Sequence, residues 1–342
     1  MEAAYTVAPL ARPEPSLTAG AQTVTTTRRR VTALLGSLAV GLGLGAGALA
    51  QDAPKEFRIG YQKVGLIVVA RQQGLIEKRL ASQSIPVRWV EFQAGPPLLE
   101  ALNAGGIDFG YTGDAPPIFS QVAGGNLVYV GAAAPTRDGE AILVKANSPI
   151  RTVADLRGKT VAVGRGTSSH NLLIAALEKA GLSVSDIKPA YLLPSDAGSA
   201  FANDSVDAWV IWDPYLALAQ SRGETRVLAT AGQTHNASSF LLANRTFAEK
   251  YPGPVSGALA GLSEAAGWAR EHRDEVAHAL ASVTGVPYPV QKVAADRTEF
   301  AVRPLTDEIL TAQQTTADRF TRLGLIPRPI KVRDVVWTPP RT

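Results

Sequence analysis

From Phe57 to about His235 short apolar runs alternate with amphipathic ones, and this rhythm constrains the fold more than any other feature of the chain. FRIG, from Phe57, reads as a strand and LIVVARQQGLIEKRLA as helix. IPVRWVEF and IDFGYTG follow as strands with GPPLLEALNAGG as the helix between them. APPIFSQVAGG is a further helix, and LVYVGAAA and AILVKAN are strands. A second series starts near Arg151. There TVAVG, IKPAYLL, DAWVIW and TRVLATA are strands, separated by the helical runs HNLLIAALEKAG, SDAGSAFAND and PYLALAQSRG. Strands alternating with helices predict mostly parallel sheets covered by helices on both faces, the α/β class.

After His235 the pattern changes. SSFLLANR is one more strand, and the rest to Leu323 is largely helical, as in VSGALAGLSEAAGWAREH and RDEVAHALASVTG. The tail PRPIKVRDVVWTPPRT is proline-rich and irregular. A lone strand has no stability by itself, and its simplest destination is the first sheet. The expected organisation is therefore a discontinuous first lobe, 51–145 plus 237–342, and a second lobe, 146–236. Two crossovers between two lobes make a hinge with a cleft beside it. A chain of 342 residues, 46% of them hydrophobic, is long and apolar enough for two such cores.

The first fifty residues read differently. Arg28, Arg29 and Arg30 precede twenty residues without a charge, Val31 to Ala50, which end in Ala48-Leu49-Ala50 before the polar QDAPKE. This predicts a secretory signal over 1–50 with cleavage near Ala50, leaving a soluble exported protein. A membrane anchor is the alternative for twenty uncharged residues; the glycine-rich second half and the A-x-A end argue against it. The leader holds four of the 34 basic and two of the 30 acidic residues, so about +2 of the formal +4 charge remains after it. No Lys/Arg block points to nucleic acid. The absence of cysteine excludes disulfides, thiol nucleophiles and a lipid-bearing N-terminal cysteine.

In open α/β sheets ligands bind beyond the carboxyl ends of the strands. At those ends stand Tyr61, Gln62 and Lys63; Gly95 and Pro96; Gly113 and Asp114; Arg165 to Asn171, including Thr167, Ser168, Ser169 and His170; Ser195 and Asp196; and Trp212, Asp213 and Tyr215. Nearly every end opens a helix, with free N–H groups and the positive end of a dipole, which suits a small anion. Plain N-capping explains Ser, Thr and Asp one at a time. It does not explain Gln62, Lys63, His170, Trp212 and Tyr215, so the set favours a ligand. Catalysis fares worse. Ser168-Ser169-His170 are neighbours on a helix start and cannot face one another as nucleophile and base. GRGTSSH lacks the lysine of a phosphate loop. The four histidines are scattered without H-E-x-x-H, so no metal and no cofactor is expected. Asp114 and Asp213 as an acid–base pair is a weaker reading than capping or a hydrogen bond to a ligand.

GYQK, GPPLLEAL, IDFGYTGDAPP, ADLRGKTVAVGRGTSSHNLL and DAWVIWDPY occur in this order between Phe57 and about Leu325. Together they resemble the aliphatic-sulfonate-binding proteins of ABC importers (the SsuA type), within the nitrate/sulfonate/taurine-binding group. The resemblance implies a type II periplasmic binding protein fold, two lobes that close over a ligand at a two-strand hinge. It implies a monomeric periplasmic binding protein, not an enzyme, that delivers an organosulfonate to an inner-membrane permease. On one lobe the ligand is expected to meet Gln62, Lys63, Gly95 and the Gly113–Asp114 turn. From the other come Thr167, Ser168, Ser169 and His170 for the head, with Trp212, Asp213 and Tyr215, the two aromatics packing the tail. Arg165 stands where a lysine or a small residue is expected, and its role is open. Taurine, nitrate, a sulfate ester or a pyrimidine precursor are the alternatives on the same fold. Trp212 and Tyr215 count against nitrate, and Asp114 or Asp213 would suit the ammonium of taurine. An enzyme or regulator on this scaffold lacks support: no nucleophile or metal constellation is visible, and the N-terminus reads as an export signal.

Overall fold

In the computed structural model, which describes residues 53–223, 225–235 and 237–339, side chains alternate along each strand and so feed two cores per sheet. The predicted signal at 1–50 and its cleavage site near Ala50 lie outside the described residues. β1 (Phe57–Tyr61) pairs in parallel with β2 (Val87–Glu91) and β3 (Phe109–Thr112). Phe57, Ile59 and Tyr61 enter one core, shared with α1 (Gly65–Gln72) and α2 (Leu75–Leu80). The opposite core takes Leu98, Leu99 and Leu102 of α3 (Gly95–Asn103) and Ile118 of α4 (Ala115–Val122). β4 (Leu127–Ala133) divides the same way, Val128 and Val130 on the first face, Leu127 and Tyr129 on the second. Each large apolar side chain fully buried in this manner contributes about 1.5–3 kcal/mol before entropy is counted.

The chain then leaves this sheet through 134–139. β5 (Glu140–Lys145), β6 (Thr160–Val163), β7 (Lys188–Tyr191), β8 (Ala208–Trp212) and β9 (Thr225–Thr230) form a second sheet in the order β7-β6-β8-β5-β9. This corrects the expected boundary at 145: AILVKAN belongs to the second sheet and not to the first lobe. The reason is packing on both faces. Ile142 and Val144 enter one second-lobe core, Ala141 and Leu143 the other, and the gap between β8 and β9 buries both sets. β5 is antiparallel to β8, whereas β6, β7 and β8 are mutually parallel. α5 (Ser168–Lys179), α6 (Pro194–Ala202) and α7 (Tyr215–Ser221) cover this sheet.

After α8 (Ala231–Thr234) the chain returns to the first sheet. β10 (Ser239–Asn244) inserts antiparallel between β3 and β4, giving the order β11-β4-β10-β3-β1-β2. α9 (Arg245–Lys250), α10 (Pro252–Glu271), α11 (Arg273–Thr284), α12 (Tyr288–Arg297), the short β11 (Val302–Arg303) and α13 (Asp307–Arg322) complete it. The tail is tied down: Ile326, Val332 and Val335 are buried in the core under α3, and the Trp337 N–H donates to the Tyr129 carbonyl at 2.9 Å. Contacts that join the lobes include the following two. Glu178 of α5 pairs with Arg319 and Arg322 of α13 at 3.0 and 2.8 Å. Ala217 of α7 packs with Val290 and Ala294 of α12.

Candidate ligand-binding site

The segments after β1, β2, β3, β6 and β8, at the carboxyl ends of parallel strands of both sheets, line a cavity of about 130 Å³. Its polar wall comprises Gln62 after β1, Gly95 opening α3, Gly113 after β3, Thr167 and Ser168 opening α5, Asp213 after β8, and Thr298 and Glu299 after α12. Thr136 and Gly139 come from the first crossover and Ser239 from the start of β10. Its apolar wall is built from Leu66 and Ile67 of α1, Tyr111, Trp212, Leu262 of α10, and Phe300 and Val302 near β11. Among the described residues no lysine, arginine or histidine lines it.

The helix ends are unequal donors. α3 opens Gly95-Pro96-Pro97 and α4 opens Ala115-Pro116-Pro117, so each lacks two N–H groups in its first turn. The Ala115 N–H is taken by the Asp114 carboxylate at 2.9 Å. This corrects the expectation that every opened helix offers free N–H groups. α5 carries no proline: Thr167 caps it by accepting from the His170 N–H, and Ser168 and Ser169 keep their N–H groups. Donor capacity therefore concentrates at α5, with Gly95 and Gln62 beside it.

Seven of the twelve expected residues line the cavity: Gln62, Gly95, Gly113, Thr167, Ser168, Trp212 and Asp213. Five do not. Lys63 pairs with Glu91 at 3.0 Å and is largely exposed. Asp114 is buried and turned into the α4 cap, where Asn171 of α5 also donates to it. Ser169 and His170 follow Ser168 at helical steps of about 100° and so point behind the wall. His170 accepts from the Gly166 N–H on Nδ1 and meets Tyr191 edge-on. Tyr215 lies edge-on to Trp212, in a groove between α6 and α7. Arg165 stacks 4.4 Å over the Tyr191 ring, outside the cavity lining.

The site contains residues that the strand-end rule misses. β5 runs antiparallel to its neighbours, so its amino end lies where their carboxyl ends lie, and Glu140 arrives at the cleft with it. Glu140 is 1% exposed. Ser168 and Ser169 hydroxyls both donate to its Oε1 at 2.7 Å, and Thr136 donates to Oε2 at 3.3 Å. A charged residue heading a doubly buried strand was the signal for it. Arg297 of α12 reaches Asp213 at 3.4 Å and Gln220 at 2.7 Å, linking the lobes at the cavity edge.

Burial shapes the charges. It raises the Glu140 carboxyl above the ordinary range. It pushes Asp114 up to about 7, with Glu140 adding to the effect. Asp213 rises to about 6, Arg297 opposing the burial. His170 and His235 fall to about 4 because burial disfavours the imidazolium, so both are neutral near pH 7.

Residues 67–276 match the family described as NMT1/THI5 like. The chain belongs to the NMT1/THI5-like family. Among solved structures, this NMT1/THI5-like chain is 46% identical to the periplasmic aliphatic sulphonate binding protein SsuA of Escherichia coli, covering 85% of this chain and 94% of that one, with a TM-score of 0.77. It is 42% identical to the alkanesulfonate-binding protein SsuA of Xanthomonas axonopodis pv. citri, solved bound to MOPS. That match covers 84% and 99% of the two chains with a TM-score of 0.80. The periplasmic nitrate-binding protein NrtA of Synechocystis PCC 6803 shares the fold alone, at 13% identity, 82% and 84% coverage and a TM-score of 0.67. The architecture is the two-lobed type II periplasmic binding protein fold.

Proposed function

We propose that this chain is the periplasmic solute-binding protein of an ABC importer, that it binds an organosulfonate between its lobes, and that it hands the ligand to the membrane permease. The observation that carries this reading is the cavity itself. One wall is polar and built largely of neutral groups at the opened ends of α3 and α5, the other wall is apolar, and no basic side chain lies between them. Such a wall satisfies an acceptor-rich monoanion by directed hydrogen bonds, and a sulfonate is a permanent monoanion with three acceptor oxygens. Gln62, Gly95, Gly113, Thr167 and Ser168 hold the head. Trp212, Leu262 and Phe300 pack the organic tail. The sulfonate-binding names of the relatives support the same class.

The lobes, with crossovers after β4 and after β9, close at that hinge, and the closed form is what the permease meets. The protein acts as a monomer without catalysing a reaction and without nucleic acid. The leader at 1–50 exports it, with cleavage near Ala50. Among the described residues no helix is long and apolar enough to cross a membrane. Nitrate would leave the apolar wall unused. Taurine is the second reading, favoured by the Asp213 carboxylate in the cavity wall. Calorimetry against butanesulfonate, taurine, nitrate and an alkyl sulfate ester tests the assignment. Saturable one-to-one binding of butanesulfonate supports it, whereas binding of one of the others alone overturns it. Asp213→Asn weakens taurine and spares butanesulfonate if the second reading holds.

A further inference from the structure

Glu140 stands in apparent conflict with an anion in the cleft. It is buried, it heads β5, and the hydroxyls of Ser168 and Ser169 both donate to its Oε1 at 2.7 Å. Ser168 is also part of the cavity wall. A hydroxyl has one proton. While Glu140 is ionised, that of Ser168 points back at the carboxylate, and Ser168 shows the cavity lone pairs. A sulfonate offers only acceptors, so it meets lone pair against lone pair, with a buried negative charge directly behind.

Protonation of Glu140 removes both obstacles. The carboxyl O–H donates to a seryl oxygen, the Ser168 hydroxyl turns about its Cβ–Oγ bond, and its proton faces the ligand. Building on the anion-binding reading above, we propose that Glu140 sets which anions the cleft accepts: it takes one proton from solvent when the ligand enters, switching Ser168 from acceptor to donor, so that anion and proton bind together.

The surroundings of Glu140 supply no substitute for that proton. From α5 it faces the two seryl hydroxyls, and from the first crossover the Thr136 hydroxyl. Across the neighbouring Gly139 lies the Asp213 carboxylate just after β8, and the cation near it, Arg297 of α12, is engaged with Asp213 and Gln220. On the other side lie Asp114 at the α4 cap, a further carboxyl, and His235 beyond it, 3.8 Å from Asp114 and held neutral. The Tyr111 phenol of β3 is a further titratable neighbour, raised by burial, and Arg137 and Asp138 precede Glu140 in the crossover, Asp138 accepting from the Thr230 hydroxyl at 3.1 Å. An entering anion therefore raises the Glu140 carboxyl further. Affinity is full at low pH and falls as pH rises through the titration of the free protein, by up to tenfold in Kd per pH unit.

Calorimetry of the full chain with 1-butanesulfonate between pH 6 and pH 9, in Tris and in imidazole, reads both quantities; neither buffer carries a sulfonate. The expected result is proton uptake approaching one per ligand at the alkaline end, with Kd weakening by up to tenfold per unit. E140Q, whose carboxamide still donates to Ser168, binds without proton exchange and with a Kd independent of pH. D114N retains the uptake. Wild-type binding with no proton exchange and a flat Kd overturns the inference, and so does uptake that survives E140Q or vanishes in D114N. If E140Q does not fold, the wild type and D114N decide. Failure of butanesulfonate to bind at any pH overturns the ligand class proposed above, a result distinct from binding without protons.

Discussion

Gly113 and Ser168 belong to different lobes, and they touch. A Cβ placed on Gly113 would lie 2.7 Å from Ser168 Cβ and 2.9 Å from its Oγ. Against an ordinary contact of 3.4 Å or more, the shortfall is about 0.7 Å. Ser168 cannot swing aside, because Cβ is one bond from the α5 backbone and Oγ is held by Glu140. The backbone of Gly113 lies outside the left-handed region, so alanine is otherwise tolerated there. Gly113→Ala must therefore hold the lobes apart at the cavity. Overpacking of this size costs about 1–3 kcal/mol, and it is felt only where the lobes meet. The expected outcome is a Kd for butanesulfonate weaker by about 5- to 150-fold, with the Tm of the ligand-free protein little changed. Gly95→Ala is the control. Its Cβ would lie 2.7 Å from Pro116 Cγ and 3.2 Å from Thr112 Cβ, both in the first lobe. That strain is present with or without ligand, so G95A lowers the ligand-free Tm. Calorimetry and thermal melts of the two variants separate the cases. G113A with wild-type affinity, or with a Tm loss equal to that of G95A, would refute the reasoning.

Other outcomes follow from the buried charges. Asp114, held up to about 7, keeps in the native state a proton that the unfolded chain loses above its ordinary value. Native stability therefore falls as pH rises from about 4 to about 7, by at most about 1.4 kcal/mol per unit. D114N flattens that slope in melts taken at pH 5 and pH 8. His170 and His235, lowered to about 4, act in the opposite sense: stability is lost as pH falls below about 6.5, and proton NMR should find both imidazoles neutral until pH approaches 4. Arg297→Ala leaves the Asp213 carboxylate buried without its cation and should cost about 1–3 kcal/mol, more at pH 8 than at pH 5. D213N in the same background should recover most of it in denaturant titrations. Trp212→Ala removes an aromatic part of the apolar wall and should weaken butanesulfonate more than methanesulfonate, as measured by competition.

Much of the molecule follows from local rules. The short apolar runs FRIGY and LVYVGAA, and the helical runs between such strands, are enough to place the chain in the α/β class. Reading the residues after each parallel strand finds Gln62, Gly95, Gly113, Thr167, Ser168, Trp212 and Asp213, because chain direction alone puts them at one edge of a sheet. The prolines of GPP and APP were equally legible as missing donors, since that property belongs to the residue and not to its surroundings. What tertiary structure decided is which neighbours each segment meets. AILVKAN is a buried strand by sequence, but its pairing between β8 and β9 assigns it to the second sheet. Its antiparallel direction then carries Glu140 to an edge where the rule looks for carboxyl ends. Ser168 and Ser169 are alike in sequence, yet one helical step turns the first into the cavity and the second behind it. Leu262 and Phe300 lie in the helical segment, and their place in the cavity wall depends on that segment packing against a sheet whose first strands come far earlier in the chain. Periodicity is a property of a few consecutive residues, so the sequence carries it outright. Burial against a partner far along the chain depends on the whole packing, and for Glu140 that packing decides whether a carboxyl is a surface charge or lies buried behind the cavity wall.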